Sequence, residues 1–392
     1  MVTMQTAENA LKDIYLGVVS NQLNTKTNAL YNQIKQTTTD VYGREVQKLA
    51  PFGINGGIGA GDEGGLLPKS AENKYVLLTS TLKNLYGTIE ISDKAIRASV
   101  DDAGAFVNLL TAEMEGLLES SKFNLGRMLY GDGSGLLCSV TAATEGENII
   151  TVDNVNNLIE GMVVDVYNAD NILIGFNGVR IIGIDRENKT LTLSVSANST
   201  FATNAKKCKI YVQNSKDQEL TGIEKLFATL DPIYGLDRTT YPWINSYDRS
   251  KLSTETLDEI LLQEFIDEIM ERTGSEINFI ATTSKVKRIL ASNLISKRAN
   301  IDTINLDGGY NAISYNGIPV ISDRFIKNGT MYMLNTNDFA MHQLCDWEWL
   351  CNEDGSVLKQ KEGYASYIAT LVKYAELMCS KPAGQARLTN LS

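Results

Sequence analysis

The sequence predicts an α+β fold interrupted by a small all-β module. Three observations carry that prediction. LYGTIEIS, residues 85–92, alternates apolar and polar side chains and then passes straight into helical residues. Residues 102–130 hold one unbroken apolar stripe at helical spacing. Residues 140–215 break into short β-type runs divided by turn clusters, after which helical and strand patterns mix again.

The chain opens with Ala7, Leu11, Ile14, Val18, Leu30 and Ile34 at helical spacing among Asn, Gln and Thr. That thin stripe buries little by itself and predicts an arm packed on the body or on a neighbour. PFGINGGIGAGDEGGLLPKS, residues 51–70, is glycine-dense and predicts irregular backbone. Its GAGDEG, Gly59 to Gly64, matches a dinucleotide fingerprint only formally, because no strand precedes it and no helix N-terminus follows to hold a pyrophosphate. KYVLLTSTL and LYGTIEIS then predict two strands forming a ribbon over residues 74–91. A lone ribbon is marginal in water, so it calls for a partner surface.

Ser92-Asp93 offers a helix start. From Asp102 to Tyr130 the positions Phe106, Leu110, Met114, Leu117, Ser121, Leu125 and Met128 predict one long helix. Gly116 and Gly126 within it are sites of bending or close approach. YGDGSGLL ends it as a glycine loop and lacks the Lys-Ser or Lys-Thr of a phosphate loop. The module follows with IITVDNV, MVVDVYN, NILIGF, VRIIGID, TLTLSV and CKIYVQ, and its Asp165, Asp170 and Asp185 lack calcium-loop spacing and read as turn residues. GIEKLF resumes a helical pattern. Ser253-Thr254 opens a helix through Leu257, Leu261, Phe265 and Ile269 that closes at Gly274, its acids forming a solvated face. INFIATT, NGIPVIS, TMYMLN and FAMHQL read as strands, with a helix capped by Ser284 and a hairpin turn at Asn328-Gly329. Tyr364 to Met378 alternates for unusually long.

The chain has 392 residues, 43% hydrophobic and 21% charged, which is globular composition for about two or three domains. Its net charge of −11 disfavours a surface that grips phosphate backbones. Five cysteines (Cys138, Cys208, Cys345, Cys351, Cys379) form no CxxC and read as free thiols. No signal-peptide pattern and no apolar run of membrane-spanning length is present, so folding in a cytoplasm is expected. The single histidine, His342, sits in a strand pattern without a nucleophile elbow, and HExxH, clustered ligands and kinase signatures are missing. The residues therefore predict no enzyme, no catalytic residue, no cofactor and no metal, although carboxylates brought together in space escape such a search.

Taken in order, the pieces resemble the major capsid proteins of tailed bacteriophages with the Hong Kong 97-type fold. The likeness rests on the polar arm, Gly64-Gly65-Leu66-Leu67-Pro68, the strand into Ser92-Asp93, the long helix, YGDGSG, and Asn316 to Val320. It implies an N-terminal arm over 1–68, an E-loop hairpin over 69–90, and a peripheral domain with a spine helix over 91–137. An axial domain over 220–345 and return strands over 346–392 complete it, and residues 138–219 form an inserted all-β domain outside the family pattern. The implied function is self-assembly as hexamers and pentamers into an icosahedral head shell enclosing double-stranded DNA. Portal and scaffolding proteins, a possible decoration protein, no membrane contact, and location in the virion after assembly in the host cytoplasm follow from the resemblance. Leu77, Leu78, Leu82, Ile89 and Ile91 are the expected inter-subunit contacts of the E-loop. An encapsulin-like or gene-transfer-particle shell, and an acidic hydrolase, are the alternatives.

Overall fold

The structure, a computed structural model, describes residues 29–94, 103–170, 172, 176–253, 255–297, 303–306, 310–351, 355 and 357–391. The expected arm helices of residues 5–28 and the short helix after Asp93 lie largely outside the described residues. Four sheets organise the rest.

The alternation of 83–92 is satisfied on one side of a five-stranded sheet. Lys83–Ser92 pairs antiparallel with Ser366–Cys379, which in turn pairs with Phe339–Trp349, and short Lys35–Thr37 and Lys359–Gln360 complete the sheet. Leu85, Ile89 and Ile91 point inward and are buried in the main core, each contributing about 1.5–3 kcal/mol. The long helix runs Ala103–Tyr130, and its 28 residues span about 42 Å. It packs on the 83–92 strand. Of its two glycines, Gly126 meets the Phe325 ring, which lies 2.6 Å from where a Cβ would sit, whereas Gly116 has nothing near it. The side chains of Phe106, Leu110 and Met114 fall outside the described residues; Leu125, Met128 and Leu129 are buried.

A seven-stranded mixed sheet forms the second body, in the order Tyr247–Ser250, Ala386–Thr389, Met331–Leu334, Phe279–Thr282, Ile318–Ser322, Tyr310–Tyr315, Thr303–Leu306. Helices Glu259–Thr273 and Ser284–Lys297 cover its own apolar cluster. The first of these begins later than Ser253-Thr254 would place it. Asp258 is the cap, its Oδ1 accepting from the amides of Ile260 and Leu261 at 3.1 Å each, and Gly274 closes the helix at φ +64° as expected. Asn328-Gly329 is a turn but not a hairpin turn: strand 279–282 lies between 318–322 and 331–334 and pairs with both.

Residues 136–212 close into a six-stranded barrel with a core separate from the others. Its first strand, Leu136–Ala143, takes up residues that read as glycine loop. NILIGF supplies no strand among its described residues, and helix Ser199–Asn204 is an addition that no sequence pattern suggested. The chain enters and leaves the barrel side by side, on the paired strands Leu136–Ala143 and Lys209–Val212. The neck is fastened where Asp217 N–H donates to the Ser134 carbonyl at 2.9 Å and Arg127 on the long helix forks onto Glu219. Both members of that ion pair are buried, at 4% and 2% exposure. Gly222 then presses on the helix end so closely that a Cβ would collide with the Met128 and Gly131 carbonyl oxygens.

The fourth sheet corrects the expected hairpin. Lys74–Thr81 does not pair with 83–92; it pairs along its whole length with Glu45–Phe52, with Val41–Tyr42 outside that. The reason is local: only Leu82 separates the strands 74–81 and 83–92, too little chain to reverse direction, so they run on through a bend. The hairpin is thus residues 45–81, and the glycine-rich stretch 53–73 is its tip.

Candidate assembly surface

In the ribbon 45–81 antiparallel register assigns side chains to faces. Val46, Ala50 and Leu78 point to the body and are buried. The opposite face pairs Leu49 with Leu77 and Pro51 with Tyr75, and all four are exposed. Along the ladder the Thr79 amide donates to the Tyr234 carbonyl at 3.0 Å, and at the root of the tip Phe52 stacks on Trp243 at 5.2 Å between centroids. At the tip the two arms run alongside each other without a regular ladder, Gly59 against Pro68 and Gly61 near Leu66, and reverse at Asp62–Gly65. Ile54, Ile58, Leu66 and Leu67 there are exposed at 90, 84, 99 and 89%. Among the described residues nothing covers this apolar area along one projection, and apolar patches of that kind are the ones other molecules bind.

The predicted contact residues divide accordingly. Leu78 is 1% exposed, and Leu82, Ile89 and Ile91 are likewise buried in the main core. A side chain already covered by its own chain has no area to give a neighbour, so these four are corrected to core positions. Leu77 remains on the open face. The exposed apolar residues of the ribbon that the sequence reading did not single out are Leu49, Tyr75 and the tip Ile54, Ile58, Leu66 and Leu67. The signal was available in GGLLP: two adjacent leucines in a glycine-proline stretch have no secondary structure to bury them.

The buried titratable groups are dispersed. His342 is buried, its Nδ1 donating to the Thr39 carbonyl at 2.9 Å, and burial depresses its basicity. Asp165 is pinned by the amides of Gly178 and Asn214 at 2.8 Å each, and Glu219 by Arg127. Asp323 accepts from the Phe325 amide at 3.0 Å, with burial raising its carboxyl to about 6. Glu376 accepts from the Thr221 amide at 3.0 Å and burial raises it to about 7. Lys373, fully buried, donates to Gln343 at 2.6 Å and Asp346 at 2.7 Å. Each of these groups has its own structural partner rather than a shared cleft. Among the described residues no group of three or more His, Cys, Asp or Glu is placed to hold a metal, and no helix is long and apolar enough to cross a membrane. The cysteines are unpaired.

A two-sheet body is thus crossed by a long helix and carries a projecting apolar ribbon. Solved structures share this architecture. Across 97% of this chain and 93% of the other, the fold superposes on the capsid asymmetric unit of cyanophage A-1(L) with a TM-score of 0.54 at 11% identity. The capsid of the native GTA particle follows at 0.48, with 11% identity over 94% and 91% of the two chains. The holo-SrpI encapsulin complex of Synechococcus elongatus lies at 0.43, with 10% identity over 93% and 87%. Of these three the cyanophage likeness carries weight, and at that identity it establishes the fold, which is that of a phage capsid protein. No family model and no curated protein sequence matches the chain.

Proposed function

We propose that this chain is the major capsid subunit of a tailed-phage head, whose copies close into an icosahedral shell around double-stranded DNA. The observation that carries it is the ribbon 45–81, apolar on its open face and tip and uncovered among the described residues. Ribbons lying across the next copy make heterologous contacts, which close into rings when the rotation permits. In this reading the ribbon is the E-loop, the five-stranded sheet with the long helix is the peripheral domain, and the seven-stranded sheet is the axial domain. The barrel is an insertion at the neck, tolerated because its ends adjoin. The net charge of −11 suits an interior along which DNA slides without adhering. Portal and scaffolding proteins, and a decoration protein, are the partners this role calls for, in the virion.

Negative-stain microscopy with sedimentation of the purified chain, over a range of concentrations, tests the proposal. Rings or uniform shells are expected, and monomers at every concentration refute it.

A further inference from the structure

The apex of the ribbon and the root of its tip, where the 45–52/74–81 ladder ends, carry opposite charge, each joined to apolar surface. At the apex, Asp62 and Glu63 occupy the reversing turn, exposed and beside Leu66 and Leu67. At the root, a cleft of about 660 Å³ opens between the ribbon and the seven-stranded body. Lys48, Arg272 and Lys381 line it, against the single carboxylate of Asp338, together with the stacked rings of Phe52 and Trp243 and with Pro382. Asp338 accepts from Gln385 Nε2 at 3.1 Å and interacts with Lys48 and Lys381, and Arg272 pairs with Glu268, so the cleft keeps an excess of about one positive charge. Among the described residues Lys48 makes no side-chain hydrogen bond, and the Lys381 ammonium donates to the Thr273 carbonyl at 2.6 Å, which leaves two of its protons unused. In a chain of net charge −11, a cationic apolar cleft beside an unfilled acidic apolar apex is a complementary pair.

We propose that the apex of one copy's ribbon seats in the root cleft of the adjacent copy, Asp62 and Glu63 facing Lys48 and Lys381, with Leu66 and Leu67 against Phe52, Trp243 and Pro382. The inference rests on the shell-subunit reading and names the surface on which that ribbon docks. The chain's own apex does not fill its own cleft, since Leu66 is 99% exposed. Nine residues, 53–61, separate Phe52 from Asp62, a reach of at most about 33 Å if fully extended, which lets the apex leave its own root for the next body. Apex-to-root contact is directional, each copy giving one end and receiving the other, as a ring requires.

The test uses full-length chains at low salt, with the concentration for half-assembly read by sedimentation and the particles viewed in negative stain. D62K/E63K and K48E/K381E each reverse one side; the four-fold variant reverses both. All sites are surface or half-exposed, and circular dichroism with thermal melting checks that each variant folds. Each one-sided reversal is expected to raise the half-assembly concentration about tenfold or more. The four-fold variant is expected to return to within about threefold of the parent, because the charges are again opposite. Raising salt from 0.05 to 0.5 M should weaken assembly of the parent, since the Debye length falls to a few ångströms. One-sided reversals that assemble like the parent, or a folded four-fold variant that stays as impaired as either of them, overturn the docking while leaving the shell reading intact. A parent chain that never assembles removes both.

Discussion

Glu376 gives the sharpest test of the energetics. Its carboxyl is wholly buried near Ser80 and Lys83, where the strands 74–81 and 83–92 meet. One oxygen takes the Thr221 amide, and Oε2 has no hydrogen-bond partner among the described residues. Lys83 and Ser80 act on it from the adjoining strands, Tyr234 lies near it, and His342 is its register partner across the sheet. Burial lifts the carboxyl from 4.5 to about 7. Tenfold in proton affinity is about 1.4 kcal/mol, so carrying this charge costs the folded chain about 3 kcal/mol. The folded state holds the proton more tightly than the unfolded state. The group therefore costs nothing below about pH 4, costs progressively more as pH rises from 4.5 towards 7, and exacts the full amount above 7. In Glu376→Gln the Oε1 acceptor for Thr221 survives while the titration is gone. The buried amide brings its own unmade donors, a cost of about 1–3 kcal/mol that does not vary with pH. Denaturant unfolding of unassembled parent and variant at pH 4 and pH 8 isolates the proton: the variant should gain about 3 kcal/mol on the parent between the two. A difference that is flat across that range, or that runs the other way, refutes the reasoning.

Arg127→Ala leaves Glu219 buried without its partner, and should cost about 3–5 kcal/mol, read by denaturation, with amide exchange rising first at the neck. Residues 136–212 expressed alone should give a cooperative melt, because the barrel has its own core; a molten species would show that it depends on the body. L49S/L77S, on the ribbon's open face, should shift monomer stability by no more than about 0.5 kcal/mol yet sharply reduce assembly in sedimentation.

Element types were legible because periodicity reports which side of a strand or helix is covered. The alternation in 85–92 and 364–378, the stripe ending in Leu125, Met128 and Leu129, and the αL glycine at 274 all follow from local rules. Pairing did not follow, since it is decided by contacts distant in sequence. EVQKLAPF, with a lysine and a proline in its run, hardly reads as a strand until the edge of 74–81 receives it. The same non-locality hid the site. Leu78 and Leu77 are neighbours of identical chemistry, and only the register with Lys48 and Leu49 decides that one is core and the other open. The cap at Asp258 was misplaced for a milder reason: Ser253, Thr254 and Asp258 are all competent acceptors, and selection among them rests on where the apolar stripe meets the sheet.

The barrel's side-by-side entry and exit has a consequence for divergence. None of its core side chains is shared with the clusters of the two larger bodies. A volume change at Phe176 or Phe201 therefore asks for compensation only from other barrel residues. Loss of this unit would leave the two other clusters whole, provided that the close seat of Gly222 on the helix end persists.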